Sequence, residues 1–159
     1  MRRDLSEPIA ADLLKAAYPF AADAYARYEA GQDVSAPLQA ISGLAQKSFG
    51  TIEAIFTGAF GSVGPESFAQ RALVDWSTVP KDLSRAEMLE LFECIYSPRR
   101  GQEFLVEYWL HCLKVNTGND RVSDLIFWPD QYFGSAYSGN EPSASEALEI
   151  ALNDAERGT

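Results

Sequence analysis

Apolar residues recur along this chain at intervals of three and four, and no run shows the strict alternation of a half-buried strand. The pattern predicts helices throughout and so an all-α fold. A first helix starts near Ser6 or Pro8, proline being suited to a first turn, and sets Ile9, Leu13, Ala16 and Ala17 at helical spacing. Pro19 is expected to kink or break it, because proline removes one amide from the ladder. A further segment through Tyr25 and Tyr28 then ends at Gly31. Ser35-Ala36-Pro37 opens a helix with Leu38, Ile41, Leu44 and Ala45 on one face, running out near Phe49-Gly50. A short apolar turn around Ile52, Ile55 and Phe56 follows, and Gly58, Gly61 and Gly64 punctuate a loop. Pro65-Glu66 starts a helix carrying Phe68, Leu73 and Trp76, after which Ser77-Thr78-Val79-Pro80 reads as a linker. This divides the chain into a helical region over 1–80 and a second over 82–155.

In the second region Ser84-Arg85-Ala86-Glu87 has the form of a capping box, flanked by Leu83 and Met88 at the positions of a hydrophobic staple. Leu89, Phe92, Ile95 and Tyr96 form the expected core stripe, and Pro98 with Gly101 ends the helix. On a helix from about Glu103 to Val115, Leu105, Tyr108, Trp109 and Cys112 cluster on one side. Glu103, Val106, Glu107, Leu110 and Lys114 fall opposite. If the first set packs inward, Val106 and Leu110 are apolar residues among charges on the outer face. Scattered exposed apolar residues are common, and an apolar pair rimmed by carboxylates is also the form of a charged binding face. Ser123 is placed to cap a short helical turn that Pro129 must stop. So short a turn cannot bury all of Leu125, Ile126, Phe127 and Trp128, so some must face outward or toward a neighbouring helix. Pro142-Ser143-Ala144-Ser145-Glu146 starts a last helix packing Ala147, Leu148, Ala151 and Leu152.

Charge narrows the function classes. The 159 residues hold 13 basic and 23 acidic side chains, a net charge of −10. Residues 1–80 carry six basic and nine acidic groups, net −3, and residues 81–159 carry seven and fourteen, net −7. Direct nucleic-acid binding is disfavoured, since it requires Lys and Arg to neutralise phosphates. An acidic protein can instead compete with nucleic acid for a basic partner. Acidity that only maintains solubility is the plainer alternative. No stretch approaches the roughly 18 apolar residues of a membrane span. No secretory pattern follows Met1-Arg2-Arg3-Asp4, and the two cysteines, Cys94 and Cys112, suit a reducing compartment. The expectation is a cytoplasmic protein.

Catalytic chemistry is sparse. His111, the sole histidine, adjoins Cys112 on a helix, where neighbouring side chains diverge by about 100°, so that pair alone makes no metal site. Cys94 and Cys112 read as buried reduced thiols. A Cys94–His111 nucleophile pair is the alternative, without an evident third orienting group. Gly58, Gly61 and Gly64 lack the Lys-Ser/Thr of a phosphate loop, and no spacing selects two carboxylates for acid–base work. No catalytic residue, cofactor or metal is assigned.

The run Asp82-Leu83-Ser84-Arg85-Ala86-Glu87-Met88-Leu89-Glu90-Leu91, then Ile95, then Ser123-Asp124-Leu125-Ile126-Phe127-Trp128-Pro129, resembles the immunity proteins of E-type colicins and S-type pyocins. The likeness covers about residues 82–155. It implies a four-helix domain whose third helix is short, and a non-enzymatic protein that binds a cognate bacteriocin nuclease, expected to be a DNase. Such proteins bind beside the nuclease active site and keep DNA out by their negative surface. By position, the family's shared anchor falls on Asp124, Phe127 and Trp128 with Ser123 beside them. Its partner-specific contacts fall on Glu103, Val106, Glu107, Leu110 and Lys114. Phe127-Trp128 stands where the family has a tyrosine pair, Lys114 where an acid is frequent, and Asn119-Asp120 where His-Pro precedes the motif. The resemblance therefore implies a partner unlike those of the familiar members.

The first region is not needed for such a fold. Ile55-Phe56, Phe60-Gly61-Ser62, Pro65-Glu66 and Ala72-Leu73 echo Ile126-Phe127, Phe133-Gly134-Ser135, Glu141-Pro142 and Ala147-Leu148, with Glu53 near the place of Asp124. A degenerate tandem copy and chance similarity are both open readings. Homo-oligomerisation stays open too. A competing function is an acidic all-helical adaptor or oligomerisation module that binds an unrelated basic protein.

Overall fold

A computed structural model describes residues 1–59 and 64–157, and among these every regular element is helical. The chain divides into two compact units, Ser6–Trp76 on one hand and Met1–Leu5 with Ser77–Thr159 on the other. The expected N-terminal region thus gives up its first five residues to the C-terminal unit. They include most of the short helix α1 (Arg3–Ser6).

Within Ser6–Trp76, helix α2 (Ala11–Glu29) packs on α3 (Ser35–Ala45) and α5 (Pro65–Leu73), and α4 (Phe49–Ala59) packs on α3 and α5. Ala17, Ala21 and Ala24 form the fully buried stripe of α2, small enough for close helix approach. Tyr25, Phe56 and Phe68 fill the centre, with Phe56 edge-on to both other rings at 5.3 Å between centroids. Pro19 neither ends nor divides α2. One lost ladder bond costs about 3 kcal/mol, and burial of α2 against two partner helices outweighs it.

The segment expected as a short apolar turn is α4, a full helix. Gln46, left-handed at φ 55°, ends α3. The Ser48 hydroxyl then accepts the amide of Thr51 at 3.2 Å, an N-cap bond that starts α4. Ile52 and Phe56, one turn apart, bury its inner face. Trp76 lies outside α5, which stops at Leu73, and is partly exposed in a single 3-10 turn.

The C-terminal unit is built from α6 (Arg85–Tyr96), α7 (Glu103–Thr117), α8 (Val122–Phe127), α9 (Pro129–Phe133) and α10 (Ala144–Arg157). Helix α6 packs on α7 and α10, α7 on α8 and α10, and α8 on α9 and α10. The Ser84–Glu87 capping box is formed, with reciprocal bonds of 3.1 and 2.9 Å. Ser143 and Glu146 make the same reciprocal pair at the start of α10. The core differs from the expected stripes on α6, α7 and α10, where Tyr96 and Leu152 are only half-buried. Leu91 is fully buried and Leu89 only half-buried; Phe104 and Leu113 join Tyr108, Trp109 and Cys112 inside, while Leu105 is half-buried. Helices that serve two or three neighbours need a wider apolar arc than a single stripe. The N-terminal residues complete this core: Leu5 is 1% exposed, and its carbonyl accepts the buried Trp109 indole N–H at 2.8 Å.

With α9 set aside, both units pack in one order: the first long helix (α2, α6) on the second (α3, α7) and the last (α5, α10), the second on the third (α4, α8) and the last, and the third on the last. Residue roles do not follow this shared order. Phe56 is core at 2% exposure where its counterpart Phe127 is 45% exposed, and Pro65 opens α5 while Pro142 precedes α10 by two residues. Glu53, the counterpart of Asp124, is exposed on α4. Phe60-Gly61-Ser62, with Gly61 of the glycine-punctuated loop, lies outside the described residues.

Candidate partner-binding face

Helix α8 turns Val122, Leu125 and Ile126 inward, and Pro129 is buried at the first position of α9. Between them Phe127 and Trp128 stand outward, 45% and 56% exposed. The corner has a local cause. A residue before proline avoids the α region, and Trp128 adopts φ −137°, ψ 59°, closing α8 and opening α9 at once. Its amide still donates to the Asp124 carbonyl at 2.7 Å, so the aromatic pair leaves a regularly hydrogen-bonded turn.

Ser123 does not cap this helix. It is the second residue of α8 and exposed, and Arg121 holds the cap position without a side-chain capping bond. The cap shifted because Asn119, two residues before Arg121, accepts the Arg121 amide through Oδ1 at 2.9 Å. Asp124 is half-buried, with Oδ2 3.4 Å from Arg121 Nε.

On α7, Glu103, Glu107 and Lys114 are exposed, and Val106 and Leu110 are half-buried among them. Their spacing keeps all five on one helix face. Residues 103–130 contain five acidic side chains and two basic ones. Both cations are turned onto aspartates: Lys114 Nζ lies 4.0 Å from Asp120, and Arg121 meets Asp124. The anchor residues, on α8 and at the corner that closes it, thus adjoin a helix packed against α7, which carries the other five.

Tyr132 and Asp154 escaped the sequence reading, together with the way Asn119 and Arg121 engage them. Asn119 Nδ2 donates to Tyr132 Oη at 3.0 Å and to the Ala151 carbonyl at 3.2 Å, and Tyr132 Oη donates to Asp154 at 2.6 Å. The sequence marked Asn119 only as a departure from His-Pro. Nothing in local spacing links residues 119, 132 and 154.

The thiols have the character of packing groups. Burial pushes the Cys112 thiol up to about 11, and burial with Glu90 and Glu93 raises that of Cys94. His111 is shifted toward its neutral form by burial and by Lys114. Among the described residues, no three His, Cys, Asp or Glu side chains are grouped to hold a metal ion, and no helix is long and apolar enough to cross a membrane. Compared with known proteins, the chain matches no family model, no curated protein and no solved structure.

Proposed function

We propose that this chain is a bacteriocin immunity protein that binds a basic nuclease domain beside its active site and excludes nucleic acid by charge and bulk. The carrying observation is the exposure of Phe127 and Trp128 at the end of a helix whose other large side chains are buried. Neighbouring exposed aromatics are expensive to leave in water and are the residue class that dominates interface energetics. Asp124 beside them, and the carboxylates of Glu103 and Glu107 on the adjoining helix, supply the steering field for a cationic partner. The resemblance of residues 82–155 supports the same reading, and α7 then carries partner choice through Val106, Leu110 and Lys114. The protein would act in the cytoplasm of the producing cell, without cofactor or catalysis.

The test uses the nuclease encoded beside this gene, with its active-site residue disabled, titrated calorimetrically at two salt concentrations. The active nuclease is then assayed with and without the chain. Tight, salt-dependent binding with loss of nuclease activity is expected. Trp128→Ala should raise the dissociation rate at least about 30-fold, the cost of a hot-spot residue. Glu103→Gln should mainly slow a salt-sensitive association. Binding without inhibition would favour the adaptor reading, and absence of binding would overturn the proposal.

A further inference from the structure

We propose that Arg121 is a positioning residue for the Phe127–Trp128 pair, clipping the start of α8 to the end of α9 so that the corner between them is held closed. The inference rests on the reading of that pair as the partner anchor. Helices of six and five residues have no stability of their own. The direction of Trp128 therefore depends on what ties their outer ends. The last carbonyls of α9 have no amide partner within the helix. Arg121 supplies one: Nη2 donates to the Gln131 carbonyl at 3.0 Å, with Nη1 3.4 Å from that of Tyr132. The same guanidinium meets Asp124 on α8 and lies 4.8 Å from the centre of the Tyr132 ring. One planar group thus touches both sides of the corner.

Its surroundings fix it in turn. The Tyr132 ring on which it stacks is bonded to Asp154 of α10 and to Asn119, and Asn119 also holds the Arg121 amide. Both arms of the corner are thereby referred to α10. The Arg121 side chain is 52% exposed and opens on a cavity of about 480 Å³, so its loss empties no core. Arginine is required because a single ammonium cannot bond two carbonyls and a carboxylate while stacking on a ring.

Arg121→Ala and Arg121→Lys in the full chain test the clip in two ways. In the free protein, amide exchange over residues 122–134 should accelerate about tenfold, the equivalent of one hydrogen bond to a charged group. Exchange in α6 and α7 should be unchanged. With the disabled nuclease domain, both variants should speed dissociation about tenfold, and Arg121→Lys, which keeps the charge, should leave association alone. In a background with both Phe127→Ala and Trp128→Ala the same change should add less than about twofold, because a residue acting through the pair has nothing left to position. Unchanged exchange over 122–134 overturns the clip. So does a full dissociation effect in the background lacking both aromatics, which would make Arg121 a direct contact. If the wild-type chain binds no nuclease, the immunity reading falls and the exchange result alone decides the clip.

Discussion

Leu5→Ala probes the assignment of the first five residues to the C-terminal unit. Leu5 is 1% exposed, and its truncation removes three buried carbons from a core shared with α7. Leu→Ala at a buried site costs about 2–5 kcal/mol, depending on how far the surroundings collapse. A terminal strap can shift inward, which places the cost at about 2–3 kcal/mol. The Leu5 carbonyl keeps its bond from Trp109, so no buried polar group is orphaned. Arg2→Ala is the control: Arg2 pairs with Asp4 and Asp82 at the surface and should leave stability near wild type. Native-state hydrogen exchange locates the effect. Amides of α6 and α7 should exchange roughly 30- to 150-fold faster in Leu5→Ala, the stated cost expressed as an equilibrium ratio. Amides of α2 and α5 should hold their rates. A loss below about 0.5 kcal/mol in urea unfolding, or a larger acceleration in α2 and α5 than in α6 and α7, would refute the assignment.

Leu125→Ala, at 0% exposure, should destabilise the chain by about 2–5 kcal/mol, whereas Trp128→Ala should stay within about 0.5 kcal/mol, both read from urea unfolding. Equal losses would place Trp128 in the core. Ser84→Ala should cost about 1 kcal/mol through the lost cap, and Ser84→Asp should recover most of it. Glu87 is held below its ordinary value of 4.5, first by the Ser84 amide, so its contribution is present above that pH and lost as the pH falls through the lower folded value. Stability of Glu87→Gln should therefore fall less steeply than wild type on acidification from pH 5 to 3; parallel curves would dismiss the box as the cause. Cys112, buried with its thiol raised to about 11, should react with a thiol reagent at pH 8 far more slowly than Cys94. Equal rates in the native protein would contradict its burial.

Local chemistry made much of this fold legible. The Ser84–Glu87 box, the break enforced at Trp128 by Pro129, and the helix from Glu103 all depend on residues within a few positions of one another. The sequence by itself thus determined the all-α class, most helix starts in the C-terminal unit, the excess of acid over base, and the necessity that part of Leu125–Trp128 face outward or toward a neighbouring helix. Tertiary structure decided the rest because the competing energies were non-local. Pro19 stays inside α2 since α2 packs on two partners, and Phe56 is core where Phe127 is exposed since each helix is buried by its own neighbours. Leu5 belongs with a unit that resumes seventy-two residues later because only the folded chain brings it to Trp109. The Arg121 clip likewise joins residues 119, 124, 131, 132 and 154. Pattern and propensity reach about one helical turn along the chain, whereas burial and hydrogen-bond satisfaction are settled by whatever packing brings together.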